Sequence, residues 1–197
     1  MIKTRDDLKK FLNYEKKKYG ITDCLRYWIM LFCGSESAAI WRYQRSLRVT
    51  EYHYNMNHKV RCAISRIKLN HLSNKYGLHI GLNTCGRGLK IMHLGSVLIN
   101  GNAQLGDDCS IHINTAIVAQ GVNDSTPIIG RGVVIGVGAI IVGGVHIANN
   151  VAIGAGAVVV KDVQEENIAV AGVPARKVSD NGRLNWSNKK NETNTDS

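Results

Sequence analysis

The run Ile129-Gly-Arg-Gly-Val-Val-Ile135-Gly-Val-Gly-Ala-Ile-Ile141-Val-Gly-Gly-Val-His-Ile147-Ala-Asn-Asn-Val-Ala-Ile153-Gly-Ala-Gly-Ala-Val-Val159 decides the fold. An aliphatic residue returns at every sixth position along it. Outward from this run, Leu105, Ile111 and Ile117 keep the same step, and so do Cys85, Ile91 and Val97. The fourth residue after each aliphatic is small or β-branched: Cys109, Thr115, Val133, Ala139, Val145, Val151 and Ala157. Glycine often follows the aliphatic directly, at Gly86, Gly106, Gly130, Gly136 and Gly154. A period of six fits neither an α-helix nor a hairpin meander. It fits short strands joined by tight corners, each hexad forming one side of a prism, so that three hexads close one coil of a parallel β-helix. Aliphatic and small residues point inward, and glycine suits corners of positive φ. Val97 to Leu105 is a step of eight, which predicts a corner near Asn100-Gly101-Asn102. The stretch Asn123-Asp-Ser-Thr-Pro-Ile128 replaces one hexad with turn formers and predicts a projecting loop.

Charge and aromatic residues are divided unevenly. The chain has 197 residues and a formal net charge of +10. Residues 1–76 hold 16 basic and 6 acidic side chains, while 77–197 hold 9 of each. Eleven of the twelve aromatics also precede residue 77. A basic helical segment over 1–76, a β-helix over 77–178 and a polar tail over 179–197 are therefore expected. The hydrophobic content of 44% argues against a disordered chain. The longest apolar stretch, Tyr27 to Cys33, is far too short to span a bilayer. No secretory h-region follows Met1, and five scattered cysteines without a C-x-x-C pair fit reduced thiols, so a cytoplasmic location is expected. Asn123-Asp-Ser and Asn191-Glu-Thr match the glycosylation sequon by chance on that reading.

Three helices are predicted. Residues 4–19 carry a Thr4 cap, Asp6 and Asp7 in the first turn and Lys16, Lys17 and Lys18 in the last. Residues 36–54 carry Ile40, Tyr43, Leu47 and Tyr54 as an apolar stripe. Residues 58–75 set Val60, Ile64, Ile67 and Leu72 against Arg61, Arg66, Lys68 and Lys75, a pattern of either a solvated basic face or a helix lying on anionic lipid.

The hexads, the run Ile153-Gly-Ala-Gly-Ala-Val-Val-Val-Lys-Asp162 and the closing Ala171-Gly-Val-Pro-Ala-Arg176 resemble the hexapeptide-repeat acyltransferases. The stretch Gly86-Arg-Gly-Leu-Lys-Ile-Met-His-Leu-Gly95 with Val97-Leu-Ile-Asn100 is similar to the serine acetyltransferase branch. With Ile40-Trp-Arg-Tyr-Gln-Arg-Ser-Leu-Arg-Val-Thr-Glu-Tyr52, it is closest to short members from capsule and exopolysaccharide loci. The resemblance implies a left-handed coil, a homotrimer with active sites between subunits, and acetyl-CoA as co-substrate without a metal. It implies His93 as the general base that takes a proton from an acceptor hydroxyl, a role suited to imidazole. It carries CoA contacts to Val137, Gly138, Ala155, Lys161 and Arg176.

Departures from the serine enzymes bear on the acceptor. Met92 stands where an Asp precedes the catalytic His, Leu78 where an Asp orients it, and Ser125-Thr126 where an Arg-His pair precedes the loop proline. A site that grips a zwitterion depends on such charged partners. A saccharide hydroxyl is therefore the expected acceptor, with Met92, Ser125 and Thr126 beside it, and L-serine is the alternative. What orients His93 is left open, with a backbone carbonyl as one candidate. His112 and His146 are expected to face outward, and His79 stands at the entrance to the coil. A non-catalytic trimeric scaffold binding membrane or nucleic acid through the basic helices is the reading from another class, with nucleic acid the less expected partner. A metal-dependent hydratase would need a pair of solenoid histidines five residues apart, which is missing.

Overall fold

The computed structural model describes residues 1–121 and 125–185. Four helices come first: α1 (Arg5–Lys17), α2 (Cys24–Phe32), α3 (Glu36–Asn55) and α4 (Lys59–Tyr76). Short strands follow: β1 (Leu78–Ile80), β2 (Lys90–Ile91), β3 (Val97–Ile99), β4 (Gln104–Leu105), β5 (Ser110–Ile111), β6 (Thr115–Val118), β7 (Ile128–Ile129), β8 (Val134–Ile135), β9 (Ile140–Val142), β10 (His146–Ile147), β11 (Ala152–Ile153), β12 (Val158–Val159), β13 (Ala169–Ala171) and β14 (Arg176–Ser179). They form three sheets, ordered β1-β3-β6-β9-β12, β10-β7-β4 and β14-β13-β11-β8-β5-β2. Every pairing is parallel except β13 with β14. From β2 to β12 successive strands visit the sheets in rotation, so the chain winds as a three-sided coil.

The hexad register accounts for this directly. Ile141 stacks on Val159 and Ile135 on Ile153, eighteen positions apart in each case. Ile117 stacks on Ile141 across twenty-four, because the segment between β6 and β7 inserts one extra hexad. All the sixth-position aliphatics are buried, together with the small residues four places on. The coil starts earlier than the hexads suggest, because β1 pairs with β3 ahead of Cys85. A turn occupies residues 101 and 102, where the step of eight places a corner.

One reading of the glycines is corrected. None of Gly86, Gly106, Gly130, Gly136 and Gly154 has a positive φ. A Cβ on Gly106 would stand 2.6 Å from Arg131 N, and one on Gly136 2.7 Å from Ala155 N. These positions need glycine because the next coil passes too close for a side chain. Positive φ falls two residues later, at Gly88, Gly132, Gly138 and Gly156.

The helical segment also differs from expectation. Thr4 forms the predicted cap, reciprocated by Asp7 as a capping box. The helix α2 was not expected; it is capped by Asp23 and buries Tyr27 alone. On α4, Val60, Ile64 and Ile67 face solvent, whereas Leu69 and Leu72 are buried. Tyr54 is also exposed. After β14 the chain returns along the coil, with Gly182 N donating to Asn167 O and Arg183 N to Asn150 O. The sequon at Asn191 and the tail from 186 onward lie outside the described residues, as does Asn123.

Helices and coil are joined by a buried polar lock. Arg48 is 1% exposed, and each of its five N–H donors has an acceptor. Nε and Nη2 reach Glu15, Nη1 reaches Glu51 at 3.0 Å and Cys85 O at 2.9 Å, and Nη2 reaches Gly86 O at 2.6 Å. Burial alone would make the guanidinium easier to deprotonate, but Glu51 and Glu15 outweigh it and raise its pKa. Removing one partner of a buried pair leaves uncompensated charge. Arg48→Met should lower unfolding free energy by about 3–5 kcal/mol in urea titrations. Arg48→Lys should fall between that variant and the parent, because ammonium offers fewer donors.

Candidate active site

The first turn of α3 faces the corner between β2 and β3. That corner carries Met92, His93, Leu94 and Gly95; the sequence reading puts His93 in a strand, but β2 ends at Ile91 and His93 lies in a bend. Glu36 approaches from the helix. Its Oε2 lies 3.1 Å from His93 Nδ1, and Leu94 N donates to its Oε1 at 2.7 Å. The Leu94 N–H bond, opposed by slight burial and helped by His93, holds the Glu36 carboxyl below its usual pKa. An ionised carboxylate only accepts, so Nδ1 carries a hydrogen, and in the neutral ring the lone pair is then on Nε2. Glu36 supplies the orientation for which a backbone carbonyl was considered.

His112 belongs to the same corner, one coil on. Ile91 stacks on Ile111, which places Met92 over His112. The imidazole rings of His93 and His112 are 6.3 Å apart between centroids. Burial, and then the neighbouring His93, lowers the His112 pKa, which favours the neutral ring. His112 is partly buried beside His93. His146 is elsewhere, on β10, where its N–H donates to Asp162. His79 is exposed on β1, in a cavity shared with Arg66 and Leu98. Among the described residues no group of three or more His, Cys, Asp or Glu side chains is placed to hold a metal ion.

The predicted CoA residues divide into two places. Ile111 stacks on Ile135 and Ile135 on Ile153, so the corner that bears His93 continues through Val137-Gly138 and Ala155-Gly156. The chain there is open: a Cβ on Gly156 would meet nothing within 4 Å, and one on Gly138 nothing nearer than 3.9 Å. Val137 and Ala155 are exposed. Lys161 and Arg176 line a separate groove of about 490 Å³ at the far end of the coil, with Asp162 and Glu165 also in its wall. Ser125 and Thr126 stand between β6 and β7, a different corner from His93, where Thr126 Oγ1 donates to Asn102 O.

Sequence reasoning missed Glu36, which lies 57 positions from His93 and looks like an ordinary first-turn acid. His112 was recoverable, because the hexad register alone sets it one coil from Met92.

No protein-family profile and no curated protein matches the chain. Solved structures do. Serine acetyltransferase from Brucella abortus strain S19 is 29% identical with a TM-score of 0.63, over 75% of this chain and 58% of that one. A serine acetyltransferase in complex with CoA is 28% identical with a TM-score of 0.61, over 71% and 57%. The Neisseria gonorrhoeae serine acetyltransferase in complex with serine is 28% identical with a TM-score of 0.67, over 89% and 70%. The chain thus spans under two thirds of the length of the first two. In fold and hexad spacing the chain is similar to these serine acetyltransferases, and to one from Brucella melitensis described as a bacterial transferase hexapeptide repeat.

The Glu36 contact makes a structural prediction. In Glu36→Gln the amide oxygen is taken by Leu94 N–H, which turns the NH₂ toward His93. The imidazole should then change tautomer, with the hydrogen on Nε2, as read from ¹⁵N chemical shifts of the ring.

Proposed function

We propose that the chain is an acetyl-CoA-dependent O-acetyltransferase that acetylates a saccharide hydroxyl, a capsular or exopolysaccharide or its precursor. The observation that carries the reading is the Glu36–His93 pair at the head of the open corner formed by Val137, Gly138 and Ala155. The neighbours named as serine acetyltransferases, one of them in complex with CoA, support acyl transfer from that thioester.

The chain supplies a fixed base. The acetyl thioester supplies the electrophilic carbonyl. His93 Nε2 takes the proton of the acceptor hydroxyl as its oxygen bonds to that carbonyl carbon. When the carbon–sulfur bond breaks, the same proton passes from Nε2 to the departing CoA sulfur. Glu36 keeps Nδ1–H in place and stabilises the imidazolium formed in between. Lys161 and Arg176 offer cations for CoA phosphates.

The assembly is part of the proposal: a left-handed coil, three copies, and active sites between them. Both His93 and Glu36 are about half exposed in one chain, at 56% and 44%. Ser125 and Thr126 reach a His93 only across a subunit boundary, because they lie on a different corner of their own chain. The division at residues 76 and 178, and a cytoplasmic setting, belong to the same reading.

The saccharide reading rests on the uncharged side chains next to His93 in the chain. Met92 and Leu94 flank His93, and both oxygens of Glu36 are already engaged. L-Serine is the second reading, favoured by the name and bound serine of the Neisseria structure. Release of free CoA with L-serine and with a panel of glycans separates them. Glycan-dependent release with none on serine is expected, and serine turnover at ordinary enzyme rates would overturn the saccharide assignment. His93→Ala should lower the rate about 10²- to 10⁴-fold without unfolding. An unchanged rate would remove His93 as the base, and absence of acetyl transfer by the parent would leave the scaffold reading standing.

A further inference from the structure

We propose that the helical segment docks on an anionic lipid bilayer through α2 and the basic cavity beneath it. This goes beyond the acetyl-transfer reading and does not depend on it. The sequence of α2 is Cys-Leu-Arg-Tyr-Trp-Ile-Met-Leu-Phe, with Arg26 its one charged residue, yet only Tyr27 is buried. Leu25, Trp28, Ile29 and Phe32 are 71, 59, 54 and 94% exposed. Their spacing puts them on one helix face. A contiguous apolar face of this kind on a water-soluble surface marks an interaction site.

Charge selects the occupant. Trp28 and Tyr27 share a cavity of about 300 Å³ with Arg42, Arg45 and Val49 of α3 and Lys68 of α4. Among the described residues none of the ion pairs involves Arg42, Arg45 or Lys68. Asp23 at the start of α2 is occupied by its cap bond to Arg26 N. Val60, Ile64 and Ile67 form a second exposed apolar stripe on α4, the helix that supplies Lys68. Apolar side chains beside unpaired cations complement lipid tails beside anionic headgroups. A second copy of the same surface would oppose segments that each carry the whole +10 excess, which like-charge repulsion disfavours. Nine residues at about 1.5 Å rise cannot cross a hydrocarbon core of about 30 Å, so α2 lies in the interface plane. Trp28 suits that depth, with an apolar ring and a polar N–H.

Flotation of the full-length protein tests this, using vesicles of phosphatidylcholine alone and of equal parts phosphatidylcholine and phosphatidylglycerol. Binding to the mixed vesicles only is expected, weakening as salt rises. Trp28→Ser with Phe32→Ser should weaken it at least about tenfold, and Arg42→Gln, Arg45→Gln and Lys68→Gln roughly fivefold each. All five side chains are exposed, so the variants should keep the parent's circular dichroism and thermal midpoint. Failure to bind either vesicle, or binding that folded variants leave unchanged, would overturn the proposal. So would dissociation of the variants into smaller assemblies in lipid-free buffer, which would make the surface a contact between copies.

Discussion

A parallel coil cannot simply stop, because its first turn has backbone amides and carbonyls with no earlier turn to pair with. Here side chains of the helices take the place of that missing turn. Arg48 donates to Cys85 O and Gly86 O, Gln44 to Leu89 O, and Lys18 to Gly88 O. In the other direction, Glu15 accepts from Gly88 N, Glu51 from Asn83 N and the Tyr19 hydroxyl from Ile91 N. Each is a point where an open sheet edge would otherwise invite pairing with a foreign strand. The buried ions are tolerable because their hydrogen bonds are nearly all made; half-satisfied, they would destabilise the fold.

This lock also has a consequence for the site. Glu36 precedes Arg48 on the same helix by twelve positions, about 18 Å of α-helix at its usual rise. Fixing α3 on the first coil at Arg48 and Gln44 fixes where its first turn points, and it points at His93. A general base contributes only when its tautomer and direction are set in advance. The same contacts that end the coil therefore aim the imidazole. Burial at one end of a helix and half-exposed chemistry at the other are two results of one packing arrangement.

Much of the coil was legible in the sequence because its period reports a geometric repeat that no tertiary contact alters. Ile111, Ile135 and Ile153 must stack once the hexads close. The helices were less legible. A stripe such as Val60, Ile64 and Ile67 reports that a helix has an apolar face, but not what covers it. The burial of Leu69 and Leu72 instead follows from where α4 meets α3 and β1. The helix α2 escaped notice because its residues are apolar almost all round, so no polar face marks a period. Glu36 was invisible for another reason: its role arises from docking two segments that the sequence joins by 57 positions. Lys161 and Arg176 were legible as cations, and only the fold showed that they share a groove apart from the His93 corner.

The partition of charge acquires a physical sense from this arrangement. The coil is formally neutral, and the basic excess lies wholly in the helices, so the proton transfer proposed for His93 does not draw on that excess. The two regions nevertheless meet at the candidate site, since His93 comes from the coil and Glu36 from the helices. Phe32 ends α2, and Glu36 opens α3 four residues later, across Cys33, Gly34 and Ser35. Gly34 has φ of +75°, a tight connection that couples the direction of one helix to that of the next. Whatever holds the exposed face of α2 is thereby set one short turn from the carboxylate that orients His93. Had an acid from the coil itself oriented His93, the helices could move without consequence for the imidazole. With Glu36 in that role, the placement of the helical segment and the orientation of the imidazole are one structural property.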